Sequence, residues 1–143
     1  MVREAQVTYR VMSAIKSKNT APEKLLGQAM WKLGLRYRKH YKIIGKPDFI
    51  FLRIKIAVFC DGDFWHGNNW AIRGMNSLEE ELSQYNSFWR EKIERNIARD
   101  KNVNHTLEKE GWVVLRFWES DIKNSPEKCA SRVKIIYDAS AGK

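Results

Sequence analysis

Cysteine is scarce in this chain of 143 residues, and its scarcity excludes two classes of small protein. Cys60 and Cys129 are the two cysteines, and neither belongs to a C-x-x-C pair. A disulfide framework and a zinc cluster of paired cysteines both need more thiols than these. A hydrophobic core must therefore hold the chain together, and a single domain of this length is large enough to form one.

Long apolar runs are also missing from the sequence. No run reaches the roughly 18 residues that a membrane span needs. The first residues, Met1 to Glu4, lack the apolar core of a signal peptide. We therefore expect an intracellular protein, in the cytoplasm or nucleoid, with reduced thiols and no membrane partner.

Acidic residues are nearly absent from the first third of the chain. Residues 1–46 contain 11 Lys and Arg and 2 acidic residues, whereas residues 47–143 contain 15 of each. The whole net charge of +9 therefore lies before Asp48. Such asymmetry indicates a polyanionic partner, most simply a nucleic acid. A basic tail that only aids solubility is the alternative.

Two groups of cations in this basic third are candidate phosphate contacts. Lys16 and Lys18 belong to a basic N-terminal arm over residues 1–19, which either packs on the core or orders on a partner. Arg36 and Arg38 alternate with aromatic residues in a segment, 36–42, that suits a half-exposed strand. We expect these four side chains to lie along a nucleic-acid backbone.

The hydrophobic pattern of the remaining chain predicts both helices and strands. Thr20, Pro22 and Glu23 form a helix start with a complete capping-box signature, and Gly34 is the natural stop. The order of elements indicates an α/β layer fold with a mixed sheet, as one domain over 20–138 followed by a frayed end at 139–143. The predicted elements are a helix over 20–33, buried strands over 49–52 and 54–59, a loop over 67–77, a solvated acidic turn at 79–81, a helix over 86–110, a buried strand over 112–118 and a helix from 125.

Ionisable side chains cluster where the two central strands begin and end. Asp48 opens the first strand after Pro47, and Asp61, Asp63 and His66 follow the second. Carboxylates and an imidazole at one edge of a sheet suit a divalent metal and an activated water. A turn residue at a strand start is the alternative for Asp48, and a structural role is the alternative for His66. We favour a metal ligand and a general base.

Two further carboxylates have both a structural and a functional interpretation. Asp100 shares a helix face with Lys92 and Asn96, and it either accepts a hydrogen bond from His66 or forms a surface ion pair. Glu23 is either a capping residue alone or a carboxylate that reaches a metal-bound water. The residues by themselves leave both choices open.

One aromatic pair, Phe64-Trp65, is unusual for an exposed loop. The pair either belongs to the core or inserts as a wedge between bases, which unstacks them in exchange for new contacts.

Beyond these patterns, the chain resembles a known family from about residue 12 to residue 118. The matching motifs resemble those of the very-short-patch-repair (Vsr) endonucleases and their Vsr-like relatives. The resemblance implies a three-layer restriction-endonuclease-like fold, in which helices flank a mixed central β-sheet. It also implies a Mg²⁺-dependent DNA endonuclease that hydrolyses phosphodiester bonds in double-stranded DNA. The motifs are Met12 to Ile15, Thr20 to Glu23, Gly34 to Arg38, Gly45 to Asp48, Asp61-Gly62, Phe64 to Gly67, Phe88 to Ile93, Asn96, Arg99-Asp100, Gly111 to Leu115 and Trp118-Glu119.

The resemblance implies the ligands of the metal. Asp48 looks like the family's metal-binding aspartate, and the backbone carbonyl of Cys60 stands at the position of a second ligand. Asp61 replaces a histidine of some relatives and is a further candidate ligand. Glu23 corresponds to the glutamate that holds metal-bound water, so the resemblance favours function over capping alone.

The resemblance also implies the base and the DNA wedge. His66 looks like the catalytic histidine, and Asp100 looks like its carboxylate partner. Phe64 and Trp65 match two intercalating aromatic residues, and Trp89 matches the third.

The chain departs from the repair enzymes at the positions of their structural zinc. Three cysteines and a histidine are replaced here by Asp63, Asn68, Trp70 and Ser120, so we expect no zinc. Two roles follow from the resemblance: T:G mismatch nicking in DNA repair, and site-specific cleavage by a homing endonuclease, a group that a zinc-free chain fits well. A catalytically silent DNA-binding module is the alternative from another class, and the complete set of catalytic residue types argues against it.

Overall fold

The computed structural model describes residues 20–142, so Lys16, Lys18 and the rest of the basic arm lie outside the described residues. The described part forms a four-stranded sheet with helices on both faces. Its elements are α1 (Ala21–Lys32), β1 (Arg38–Lys39), β2 (Phe49–Phe51), β3 (Ile56–Asp61), α2 (Asn69–Ile72), α3 (Leu78–Leu82), α4 (Ser87–Lys109), β4 (Val113–Trp118), α5 (Glu119–Asn124) and α6 (Pro126–Ala141).

The strands follow the order β1-β2-β3-β4, and the sheet is mixed. β1 and β3 are both antiparallel to β2, whereas β4 is parallel to β3. Phe49 lies opposite Val58, and Asp61 lies opposite Trp118. The start of β2 and the ends of β3 and β4 therefore meet at one edge of the sheet.

Successive residues of the central strands pack on opposite faces of the sheet. Phe49 belongs to a core cluster that includes Leu26 of α1 and Val133 of α6. Ile50, the next residue, packs with Leu107 of α4. Strand side chains alternate in direction, so this pattern produces helices on both faces of the sheet. The predicted three-layer α/β fold with a mixed sheet is confirmed.

Three strands differ from their predicted form. The strand predicted over 54–59 is β3, which runs from Ile56 to Asp61 because the turn before it includes Lys55 at φ +56, so Asp61 ends the strand instead of following it. The basic and aromatic segment over 36–42 forms only the two-residue β1, because the backbone of His40 adopts φ +52 and leaves the extended region. The strand predicted as buried over 112–118 is β4, and Val113 at its start is exposed. β4 lies at the end of the strand order, so one of its sides has no neighbouring strand to cover it.

The segment between β3 and α4 is more ordered than the sequence indicated. The predicted loop over 67–77 contains the short helix α2, and the predicted acidic turn is α3. Glu81 of that turn is fully buried rather than solvated. Its carboxylate accepts hydrogen bonds from the backbone N–H of Trp70 at 2.6 Å and from the hydroxyl of Tyr85 at 2.8 Å. Burial of a carboxylate is tolerated here because both oxygens are hydrogen-bonded.

The three long helices begin where their capping residues predict. Side chains of Thr20, Asn86 and Ser125 accept hydrogen bonds from the first turns of α1, α4 and α6. The helix α5 was not expected, and α6 continues to Ala141, so the expected frayed end is helical as far as that residue. Among the helices of residues 20–142, none is both long and apolar enough to cross a membrane.

Candidate active site

The edge of the sheet where β2 begins brings together side chains that are distant in the sequence. Asp48 immediately precedes β2, and Cys60 and Asp61 end the adjacent antiparallel strand β3. The backbone N–H of Cys60 donates to Oδ2 of Asp48 at 2.7 Å. The structure therefore places Cys60 beside Asp48, as the predicted ligand set requires; the role of its carbonyl stays a prediction.

Glu23 enters this edge from the first turn of α1. Oγ1 of Thr20 accepts a hydrogen bond from the backbone N–H of Glu23 at 3.4 Å, which is one half of the predicted capping box. Glu23 is 1% exposed, and its carboxylate lies 3.0 Å from Nε2 of His40 and forms an ion pair with Nζ of Lys39 at 3.2 Å. Glu23 therefore caps α1 through its backbone while its side chain faces the site.

The carboxyl groups of Glu23 and Asp48 share a hydrogen bond. Burial and this hydrogen bond raise the pKa of Asp48 to about 7, against the opposing hydrogen bond from Cys60. Burial also acts to raise the pKa of Glu23, but hydrogen bonds with Asp48, His40 and Lys39 outweigh it and the pKa lies below its usual value. The two shifts therefore favour the protonated form of Asp48 and the ionised form of Glu23.

These donors fit a hard divalent cation. Ligand atoms of Glu23, His40 and Asp48 lie within 4.8 Å of one another, and two of the three are carboxylates. Carboxylate oxygens are the side-chain ligands that Mg²⁺ prefers. A carboxyl ligand must lose its proton to bind a cation, so a cation and a proton would compete for this pair of carboxyl groups.

A second cluster surrounds His66, which follows β3 in the chain. Its Nδ1 lies 2.5 Å from Oδ2 of Asp100 on α4 and 3.9 Å from Oδ1 of Asp61. Nη1 of Arg116, on β4, lies 3.0 Å from Asp61 and 3.5 Å from Asp100. The hydrogen bond predicted between His66 and Asp100 is thus present, while Asp61 lies with His66 and is paired with Arg116.

The carboxylates of the second cluster favour a charged imidazole. Burial acts to lower the pKa of His66, but the hydrogen bond to Asp100 and the charges of Asp61 and Asp100 outweigh it, so the pKa lies above its ordinary value. The pKa of Asp61 is also above its ordinary value, because burial raises it more than the charges of His66 and Arg116 lower it. Because Nδ1 donates to Asp100, the neutral ring presents Nε2 as the proton acceptor.

One face of α4 contacts the segment that carries His66. Nδ2 of Asn96 donates to the carbonyl of Trp65 at 3.1 Å, and Nζ of Lys92 lies 4.8 Å from the centre of the Trp65 ring. The shared face predicted for Lys92, Asn96 and Asp100 therefore faces the site. Gly67 has φ +76, and a Cβ there would lie 2.8 Å from Cδ1 of Ile97, so the left-handed backbone and this close approach to α4 both favour glycine.

Comparison with known proteins gives the family of the chain. The sequence profile described as DNA mismatch endonuclease Vsr matches residues 3–72. The chain is 49% identical over 126 residues to the type II nicking enzyme V.NmeDIP of Neisseria meningitidis serogroup C, covering 87% of this chain and 82% of that protein. It is 47% identical to the type II nicking enzyme V.HpaIIP of Haemophilus parainfluenzae, covering 86% and 85% respectively.

The DNA mismatch endonuclease Vsr of Escherichia coli K12 is 32% identical over 123 residues, which cover 85% of this chain and 75% of that protein. The chain belongs to the Vsr family of DNA endonucleases. The resemblance inferred from its motifs is therefore confirmed, together with the restriction-endonuclease-like fold of the family.

The three aromatic residues expected to act as a wedge in this Vsr-family chain pack against one another. Phe64 and Trp89 are 8% and 5% exposed, and Trp65 is half-buried beside them. The ring centres of Phe64 and Trp65 lie 5.0 Å apart. Phe88, which precedes Trp89, is 53% exposed. Phe64 therefore belongs to a core cluster, as one of the two alternatives stated, and Trp65 lies at the partly exposed edge of that cluster. Intercalation of these rings between bases stays a prediction.

The predicted phosphate contacts on the described part of the chain are both exposed. Arg36 stacks over the ring of Trp31 at 3.6 Å, and its Nη1 donates to the Trp31 carbonyl at 3.0 Å. Arg38 begins the exposed strand β1, on the strand that also presents Lys39 to Glu23. Both arginines therefore lie on the surface, while their contact with DNA stays a prediction.

The structure adds two residues that sequence reasoning missed and removes one. His40 and Arg116 contact the two clusters, but His40 was hidden in a run of cations and Arg116 in a strand. Asp63, expected to join the carboxylates of the metal site, instead accepts hydrogen bonds from Asn68 and Ser120. Register and helix packing, which the sequence does not specify, decide each of these contacts.

Proposed function

We propose that this Vsr-family chain is a Mg²⁺-dependent endonuclease that nicks one strand of double-stranded DNA at a T:G mismatch. One observation carries the chemistry: the carboxyl pair of Glu23 and Asp48 lies at the same sheet edge as His66, whose ring Asp100 orients. The names of the relatives, nicking enzymes and a mismatch endonuclease, favour a nick at a mismatch over homing-type cleavage.

Asp48, the carbonyl of Cys60 and, through water, Glu23 are the groups that would hold the cation. A bound Mg²⁺ supplies a Lewis acid that stabilises the negative charge developing on the phosphate. Asp48 must lose its proton to serve as a ligand, and its pKa of about 7 allows this near neutral pH. Lys39 and His40 hold Glu23 in the ionised form from the outer side of the site.

His66 is the group that would take a proton from the attacking water. Asp100 fixes Nδ1 as the donor, so Nε2 accepts the proton, and the charge on the ring is stabilised by Asp61 and Asp100. Arg116 holds both carboxylates in place. The oxygen of the attacking water would bond to phosphorus as one ester bond of that phosphate breaks, and the departing oxygen would take up a proton from solvent.

The partner is double-stranded DNA, for which the exposed cations and the aromatic cluster are the contacts. Arg36 and Arg38, with Lys16 and Lys18 outside the described residues, would neutralise phosphates. The edge of the aromatic cluster at Trp65 would insert beside the mismatch, where stacking is already weak.

The test is single-turnover cleavage of end-labelled duplexes that differ only in a T:G or T:A pair. Wild type should nick the T:G duplex when Mg²⁺ is present. Removing the base by His66→Ala should lower the rate by roughly 100- to 10,000-fold, and Asp48→Ala should abolish Mg²⁺-dependent cleavage. Asp138→Ala, which removes an exposed carboxylate paired with Lys134, is the matched control and should leave the rate unchanged.

Different failures contradict different parts of the proposal. Folded His66→Ala and Asp48→Ala proteins that cleave at the wild-type rate would exclude the assigned site. Equal rates on T:G and T:A duplexes would exclude mismatch recognition and favour site-specific cleavage of the homing type. Binding of DNA and metal without turnover on any duplex would favour a catalytically silent binding module.

A further inference from the structure

Asp63 joins two parts of the chain that are 57 residues apart. Its Oδ1 accepts hydrogen bonds from Nδ2 of Asn68 at 2.8 Å and from Oγ of Ser120 at 2.8 Å. Its Oδ2 accepts a third from the backbone N–H of Ser120 at 3.1 Å. Hydrogen bonds to an ionised acceptor are stronger than neutral ones, so this carboxylate forms a firm cross-link. We call Asp63, Asn68 and Ser120 the polar clasp.

The polar clasp closes the loop that carries the base. Phe64, Trp65 and His66 lie between Asp63 and Asn68, and the backbone N–H of Asn68 donates to the carbonyl of Asp63 at 2.7 Å. Ser120 lies in the first turn of α5, directly after β4. The clasp therefore ties the loop to the strand that supplies Arg116 and leaves His66 facing α4.

A second carboxylate anchors the chain just beyond the clasp. Glu81 accepts the backbone N–H of Trp70 at 2.6 Å and the hydroxyl of Tyr85 at 2.8 Å, and it is fully buried. Asn68 and Ser120 thus both bind Asp63, while Glu81 binds the backbone of Trp70.

We propose that Asp63 is a positioning residue, whose clasp with Asn68 and Ser120 holds the Phe64–His66 loop in the register that lets His66 meet Asp100. All three hydrogen bonds of the clasp are accepted by the one carboxylate of Asp63. The consequence for cleavage rests on the proposed function, whereas the consequence for the His66 ring does not. Displacement of a base by about 1 Å can lower a rate about 100-fold, so the clasp should affect the chemical step.

The first test reads the ring directly, by proton NMR of the protein without DNA or divalent metal. The Nδ1–H resonance of His66, assigned by its loss in His66→Ala, should be present in wild type and in the Asp138→Ala control. It should be lost through exchange with water in Asp63→Ala. An unchanged resonance in folded Asp63→Ala would overturn the proposal.

The second test compares single-turnover rate constants on the T:G duplex. A merely structural residue would lower the fraction of active enzyme and leave the rate constant of the active molecules unchanged. Asp63→Ala should instead lower that rate constant, by roughly 10- to 100-fold. Asp63→Asn, which keeps one accepting oxygen, should recover part of it. Equal rate constants for Asp63→Ala and Asp138→Ala would overturn the proposal.

Two arrangements keep these outcomes separable. If Asp63→Ala does not fold, Ser120→Ala and Asn68→Ala each remove one side-chain donor, and both should broaden the His66 resonance; failure of both to do so would overturn the proposal. If wild type cleaves no duplex, the proposed function fails, and the His66 resonance alone decides the clasp.

Discussion

The two acidic clusters of this protein balance their negative charge in different ways. In the first, burial and the hydrogen bond with Glu23 raise the pKa of Asp48 to about 7. In the second, the carboxylates of Asp61 and Asp100 face the imidazole of His66 and the guanidinium of Arg116. Under the proposed function, the first cluster would bind the metal in place of the proton on Asp48, and the second cluster would supply the base.

The strongest test of this difference is to measure the metal affinity of one variant from each cluster. We expect Asp48→Ala to lower the affinity for Mn²⁺, used as a probe for Mg²⁺, by at least about tenfold, while Asp100→Asn changes it by less than about twofold. Isothermal titration calorimetry without DNA gives both values. Equal losses in the two variants would mean that the clusters form one metal site.

Asp100→Asn also tests the second cluster through the pH dependence of cleavage. The base must be neutral, so the rate falls as pH drops through the pKa of His66, which Asp100 raises. Removing the charge of Asp100 should lower that pKa, move the acid limb of the pH–rate profile to lower pH and reduce the plateau roughly 10- to 100-fold. An acid limb in the wild-type position would separate Asp100 from the titration of His66.

Arg116→Met tests whether the second cluster needs its own cation. Asp61 and Asp100 would lose the guanidinium that binds both, and hydrogen bonds to charged groups make large contributions to stability. We expect the free energy of unfolding to fall by about 2 kcal/mol in urea titrations. The double variant with Asp61→Asn should recover part of this loss, since it also removes a stranded carboxylate. Additive losses would contradict the pairing.

The smallest expected effect concerns the stability of the first cluster without metal. The pKa of Asp48 is about 7 in the fold and 3.8 in its absence, so the folded form binds the proton more tightly. Protonated Asp48 therefore stabilises the fold at low pH, and this contribution is lost as the pH rises from 3.8 to about 7. Asp48→Asn cannot ionise, and at about pH 8 with chelator it should exceed wild type by on the order of 1 kcal/mol.

Thermal unfolding followed by circular dichroism measures that difference, with Asp138→Asn as the control. The gain should shrink toward about pH 4, where Asp48 is protonated in both states. Adding Mg²⁺ at about pH 8 should also reduce the difference in stability, because the cation stabilises wild type by mass action. A variant less stable than wild type at high pH would contradict the raised pKa.

The predictions made from residues succeeded where the signal was local. Thr20, Asn86 and Ser125 marked helix starts because a cap acts on the next turn of its own chain. The prediction of a solvated acidic turn at Glu81 was wrong. The acidic composition suggested solvent exposure, whereas the fold brings Trp70 and Tyr85 to the Glu81 carboxylate as hydrogen-bond donors. The apolar sequence of β4 predicted a buried strand, but β4 is the last strand in the sheet and is partly exposed. Strand order cannot be read from the residues of one strand.

The sequence by itself determined the secondary structure near its caps, the residue types of the site and the family, because these depend on neighbours in the chain or on shared motifs. Tertiary structure decided which charges meet. Arg116 reaches Asp61 across 55 residues, and Asp63 reaches Ser120 across 57, through the parallel register of β3 and β4. His66 reaches Asp100 across 34 residues only because α4 packs on the loop at Gly67. Electrostatic partners over such separations follow from packing, and packing is a property of the whole fold.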